Sequence, residues 1–140
     1  MKRILRILTF AGAFLVTTLL TSSCSTFSEN ENNSSTLTDI VDHFQKSGLK
    51  IEKIVPLMTK TIGAQDAMVM VIAGRDVGIY KFDIKLKKQR ERIEFAKKHK
   101  YIFLIGRKYE AIVNGSFIMV AANTNKEKNK IIKAFKSFKP

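Results

Sequence analysis

Leu37, Ile40, Val41 and Phe44 recur at i, i+3, i+4 and i+7, which places them on one face of a helix. Thr36 or Thr38 can cap its start, Asp39 and Asp42 lie near the positive end of its dipole, and Gly48 falls where a left-handed residue ends a helix. From Leu49 to Ala64 the pattern is mixed. Ile51, Ile54, Val55 and Leu57 suit a strand, but Pro56 bars a central one, so the stretch reads as a short edge strand or an irregular segment. Ala67 to Ala73, a turn through Gly74, Arg75 and Asp76, and Val77 to Phe82 read as two strands joined tightly. The first is apolar on both faces and belongs inside a sheet. In the second, Val77, Ile79 and Lys81 alternate with Gly78, Tyr80 and Phe82, so neither face is plainly polar.

Asp83 is placed to cap a helix running to Lys100. Leu86, Gln89, Ile93 and Ala96 share one side of it while Ile84 and Phe95 point almost opposite, so it is either buried on two sides or leaves Phe95 exposed. Tyr101 to Ile105 is a short apolar run ended by Gly106. Tyr109 to Val113, Asn114-Gly115 and Ser116 to Ala122 form the strongest hairpin signal, because Asn-Gly can supply both residues of a type I′ turn. Thr124 and Glu127 have the spacing of a capping box, opening a last helix with Ile131, Ala134, Phe135 and Phe138 inside and Lys126, Lys130, Lys133 and Lys136 outside. The elements add up to a single α+β domain over residues 36–140. The expected architecture is an antiparallel sheet of about four to five strands, covered on one face by three helices, in the order helix, hairpin, helix, hairpin, helix. That order hints at a duplicated unit.

The N-terminal pattern is different. Lys2, Arg3 and Arg6 precede an uncharged apolar run of 14 residues, Ile7 to Leu20, and Thr21, Ser22 and Ser23 lead to Cys24. These are the parts of a secretory signal peptide, residues 1–23, in their usual order. A helix of that run spans only about 21 Å, short of the roughly 30 Å of bilayer hydrocarbon. Leu20-Thr21-Ser22-Ser23-Cys24 resembles the lipobox of bacterial lipoproteins, with Thr21 where the commonest form has Leu. The resemblance implies that Cys24 carries a diacylglyceryl thioether and, after cleavage, an acylated N-terminus. Two or more chains anchor firmly where one does not. It also implies a place in the cell envelope, and Ser25, not being Asp, favours the outer membrane in a bacterium with two. A simple secretory signal with Cys24 incidental, or an uncleaved anchor, fits the same residues. Ser25 to Ser35 is polar and rich in Ser and Asn, so residues 24–35 read as a lipidated Cys and a flexible tether.

Charge and chemistry narrow the function classes. The chain has 25 Lys and Arg against 12 Asp and Glu, a net +13, which becomes +10 once Lys2, Arg3 and Arg6 are removed. Such a surface attracts phospholipid head groups, lipopolysaccharide or acidic wall polymers as readily as nucleic acid. A Lys-, Ile- and Asn-rich composition is equally what an AT-rich genome produces. Cys24 is the single cysteine, which leaves no intramolecular disulfide and no structural cysteine zinc site.

His43 and His99 stand apart, without metal-ligand spacing, and no cofactor motif is present. Gly74-Arg75-Asp76-Val77-Gly78 is Gly-bearing and basic, but it lacks the Lys-Ser/Thr of a P-loop and joins strand to strand. The residues left for function are cations: Lys126, Lys130, Lys133 and Lys136 on the last helix, and Lys85, Lys88 and Arg92 on the second. The expectation is a non-catalytic, lipid-anchored protein that binds an envelope protein or an anionic polymer. One alternative is a small envelope enzyme using two of Asp66, Asp76 and Asp83 in one cleft. Another is a basic surface for nucleic acid or membrane, which needs both Lys-rich helices on one continuous face and which export makes less suited to nucleic acid.

Overall fold

A computed structural model describes residues 32–139. The stretch expected to be a signal peptide, Cys24 and the expected tether as far as residue 31 lie outside the described residues. The elements follow as α1 (Leu37–Lys46), β1 (Ile51–Pro56), β2 (Asp66–Ile72), β3 (Arg75–Lys81), α2 (Lys87–His99), β4 (Tyr101–Leu104), β5 (Arg107–Asn114), β6 (Phe117–Val120) and α3 (Lys128–Ser137). The six strands form one sheet in the order β1-β2-β3-β6-β5-β4, every neighbouring pair antiparallel. The domain is therefore α+β with an antiparallel sheet, as expected, but the sheet has six strands instead of four to five. The extra strand is β1, from the stretch that read as either a short edge strand or an irregular segment: it pairs with β2 at the edge of the sheet, where Pro56 is tolerated.

The helices do not share one face. Met68, Met70 and Ile72 of β2, Val77 and Ile79 of β3, and Phe117 and Met119 of β6 point to one side, where α1 and α3 pack over them. Ala67, Tyr80, Phe82, Ala111, Ile118 and Val120 alternate to the other side, beneath Ile93 and Ala96 of α2. Strands apolar on both sides need a cover on both, and the two-sided pattern of β2 and β3 was the sign of it. This arrangement also limits the duplication. Two three-stranded meanders meet at β3 and β6, but α1 and α2, which precede them, lie on opposite faces.

Several local devices differ from the expected ones. Thr36 and Asp39 do form a capping box at α1. At α3, the box expected from Thr124 and Glu127 is not made. Thr124 Oγ1 donates to the Ala121 carbonyl, while Asn125 accepts from the Glu127 amide and donates to the Ile72 carbonyl at 2.7 Å, pinning α3 to the β2 end. Asp83 does not cap α2 directly. It organises the turn before the helix by accepting from the Lys85 amide, and its own amide donates to Gln89.

The Asn-Gly turn is also shifted by one residue. Asn114 is the last paired residue of β5, opposite Phe117, and of the two turn residues Gly115 alone has positive φ, the φ pattern of a type II′ turn. Asn114 is thereby free to donate to the Phe135 and Phe138 carbonyls at 2.7 and 2.8 Å, closing the C-terminal end of α3.

Residues Asn32 to Ser35, expected in the tether, belong to the folded domain. Asn32 and Ser35 are buried. Asn33 donates to Asp83 and accepts from the Ile84 amide, and Ser116 Oγ donates to the Asn32 carbonyl at 3.0 Å. Lys81 Nζ donates to the carbonyls of Asn33 and Ser35. Their polarity pointed to solvent, but this strap is held by hydrogen bonds and needs little apolar burial.

Candidate functional site

The seven cations singled out from the sequence fall into two groups. Lys85, Lys88 and Arg92 belong to the α2 side of the sheet, and Lys126, Lys130, Lys133 and Lys136 to the α3 side. The continuous face that the nucleic-acid and membrane alternative asked of both helices is not formed. Two of the seven are engaged in holding the fold. Lys130 Nζ donates to the Gly48 carbonyl at 2.5 Å, tying α3 to the end of α1, and Arg92 donates to the Ile62 carbonyl, fastening the loop before β2 to α2. Lys85, Lys88, Lys126, Lys133 and Lys136 are exposed.

The three aspartates do not meet in one cleft. Asp76 and Asp66 lie toward opposite ends of the β2–β3 hairpin, opposite Val71 and Lys81 respectively. Asp66 and Asp83 do share a neighbourhood, together with Asp39, but its centre is the buried Lys81. Burial draws the Lys81 ammonium below the usual lysine range, and Asp83, Asp39 and Asp66 oppose that shift. The Lys85 amide and the Asn33 side chain hold the Asp83 carboxyl below the ordinary carboxylate range. A carboxyl acid at neutral pH needs the reverse displacement. His43 is likewise used in packing: its Nε2 donates to the Ala134 carbonyl at 2.9 Å, and its ring meets Phe138 edge-on. Among the described residues, no three His, Cys, Asp or Glu are grouped to hold a metal ion, and no helix is long and apolar enough to cross a membrane.

What stands out is the free edge of the sheet at β4. Ile102 and Leu104 point inward beneath α2, so the alternate residues Tyr101 and Phe103 point away, at the outermost strand. Phe95 of α2 reaches round the edge to them. It stacks on His99 at 4.4 Å and meets Tyr101 edge-on at 5.4 Å, and Tyr101 in turn meets Phe103 at 5.5 Å. Lys108, opposite Phe103 on β5, lies 4.0 Å from the centroid of the Tyr101 ring. Lys88, Glu91, Arg92, Phe95, Ile102 and Phe103 line a shallow depression beside this ladder.

Phe103 is 54% exposed and Phe95 38%, so the choice left open by the helical pattern of α2 falls on an exposed Phe95. Tyr80 and Phe82, which flank Lys81 in the sequence, are core. Sequence reasoning included Lys88 and Arg92 but missed Phe103 and Lys108. Phe103 stood in an apolar run that read as core, and its odd position relative to Ile102 and Leu104 was the available signal. No family model matches the chain, and comparison with curated proteins and with solved structures returned no match.

Proposed function

We propose that the chain is a lipid-anchored cell-envelope protein whose domain binds an anionic envelope component, with Cys24 as the lipidated residue. The observation that carries the binding half is the free β4 edge, where the ring ladder Phe95–Tyr101–Phe103 stands beside Lys88, Arg92 and Lys108. Rings held in fixed orientation present flat apolar area at little entropic cost, and cations beside them supply long-range attraction. The basic signal segment ending at Cys24 supports the anchoring half. Cys24 lies eight residues before Asn32, a separation of at most about 28 Å even at full extension. The bound component is then at or near the membrane surface.

Two measurements test the two halves. Intact mass and detergent partitioning, wild type beside Cys24→Ala, should show loss of residues 1–23, added lipid mass and detergent partitioning in the wild type only. Identical behaviour of the two removes the anchor. For binding, the full chain is titrated with polyphosphate. Replacing Lys88 and Lys108 together by Gln should weaken the complex by about tenfold or more, since each cation near an anionic surface contributes about 1 kcal/mol. Lys126→Gln with Lys133→Gln, at α3 and outside the lining of the β4 edge, should leave it unchanged. An equal loss in both pairs would move the site away from the β4 edge.

A further inference from the structure

The β4–β5 hairpin turns at Ile105-Gly106, and both residues have positive φ, +47° and +73°. The β2–β3 hairpin turns in the same way at Ala73-Gly74, with φ of +50° and +72°. The left-handed region is unfavourable for any residue with a Cβ, and most of all for a β-branched one. The first turn keeps that burden small by using Ala, which packs partly against the core. The second places Ile there and leaves it 79% exposed, so neither the backbone nor the packing of the domain accounts for the choice. Asn or Gly would serve the turn better.

What surrounds Ile105 gives it a use. Phe103, two residues earlier, is exposed on the same hairpin, and Arg107 and Lys108 follow the turn directly, both exposed. Lys88 stands beside Phe103 across the shallow depression. An aliphatic side chain stands at the tip, Arg107 pairs with Leu104 next to it, and one step further in the exposed ring of Phe103 pairs with Lys108. A dissolved anionic polymer would meet the cations, but it offers nothing apolar for an extended isoleucine. A bilayer offers both, with acyl chains below a layer of phosphates and an interface at which aromatic rings are favoured.

We infer that the anionic component bound at this edge is the lipid bilayer itself. The β4–β5 hairpin dips its tip into the interface, with Ile105 and Phe103 toward the acyl chains and the long side chains of Arg107, Lys108 and Lys88 reaching back to head-group phosphates. This inference rests on the reading of the β4 edge as the binding site and names its occupant.

The chain contains no tryptophan, so a single introduced indole reports its own surroundings. Phe103→Trp places one on the hairpin. Ile54→Trp places a control on β1, the exposed strand at the opposite edge of the sheet, about 24 Å away across five strand spacings. The full chain carrying either substitution is reconstituted in vesicles of phosphatidylglycerol or of phosphatidylcholine, each with brominated acyl chains.

The expected result is a blue-shifted, bromine-quenched emission for Phe103→Trp in phosphatidylglycerol, weakened in phosphatidylcholine and lost when Ile105→Gly is added. The Ile54→Trp emission should stay that of a water-exposed indole throughout. Water-like emission from Phe103→Trp in phosphatidylglycerol overturns the inference, as does an equal response of both indoles. Polyphosphate binding that depends on Lys88 and Lys108, without indole quenching, overturns the bilayer as occupant and leaves the binding edge standing. Loss of both removes the edge as well.

Discussion

The two faces of the sheet are finished differently. The face under α1 and α3 holds nine of the twelve largest fully buried side chains among the described residues, including Phe44, Phe117 and Phe135. The face under α2 holds Phe82, Ile93 and Ile118. The first face is sealed at its margins by side-chain bonds to main chain: His43 to Ala134, Asn114 to the end of α3, Asn125 to β2 and Lys130 to Gly48. At the β4 edge a single helix meets the outermost strand, and Phe95 and Lys88 from the α2 side come together with Tyr101, Phe103 and Lys108, which point away from α2, at the solvent boundary. Stability is concentrated under α1 and α3 and available surface at the β4 edge, a division common where a scaffold must hold a site without being altered by it.

The sharpest way to break this division is from the sealed side. Phe135→Ala removes a fully buried ring and should cost about 3–5 kcal/mol in denaturant unfolding, because the surrounding side chains cannot close the cavity completely. Thr36→Ala strikes a margin of the same side and should cost about 0.5–2 kcal/mol through loss of the α1 cap.

The Thr36 substitution also has a pH signature. The Thr36 amide and hydroxyl hold the Asp39 carboxyl below its ordinary value, and hydrogen bonds do the same for Asp83. A carboxyl with a depressed folded-state pKa contributes stability that is present above the unfolded value, near 4, and is lost as pH falls through the folded one. Unfolding midpoints measured below about pH 4 should therefore fall in the wild type and fall less steeply in Thr36→Ala. At the open edge the sign reverses. Ile105→Gly relieves a β-branched residue at positive φ and should raise stability by about 1 kcal/mol, while abolishing the bilayer response of the hairpin. A stabilising change that removes binding would separate the core under α1 and α3 from the β4 edge most plainly.

Regular periodicity made α1, α3, β2 and β3 readable, because each buries a side whose residues repeat at the helical or strand interval. β1 also followed, since Pro56 is tolerated at an edge. The misreadings came from polar residues with structural work to do. Asn114 looked like half of a turn, yet it ends a strand and closes a helix. Asn32, Asn33 and Ser35 looked like a tether, yet they bond to Lys81, Asp83, Ile84 and Ser116.

Lys81 itself showed its burial only through its register with Val77 and Ile79. The placement of three helices on one face failed because the apolar back of β2 and β3 was noticed without its consequence for α2. At the candidate site, Lys88 and Arg92 were visible as charges. Of the partner rings, the helical pattern allowed an exposed Phe95, but Phe103 was hidden, since its exposure depends on β4 being outermost, which is a property of strand order and not of local pattern.

The strap at Asn32 to Ser35 also decides how the domain carries load. Its bonds run to Lys81 at the end of β3, to Asp83 just beyond it, and to Ser116 at the start of β6, the two strands at the centre of the sheet. Tension arriving from the N-terminal side is therefore handed to the middle of the sheet before it reaches α1. The first helix, which would otherwise be the first element to take that load, lies behind the bonds of the strap.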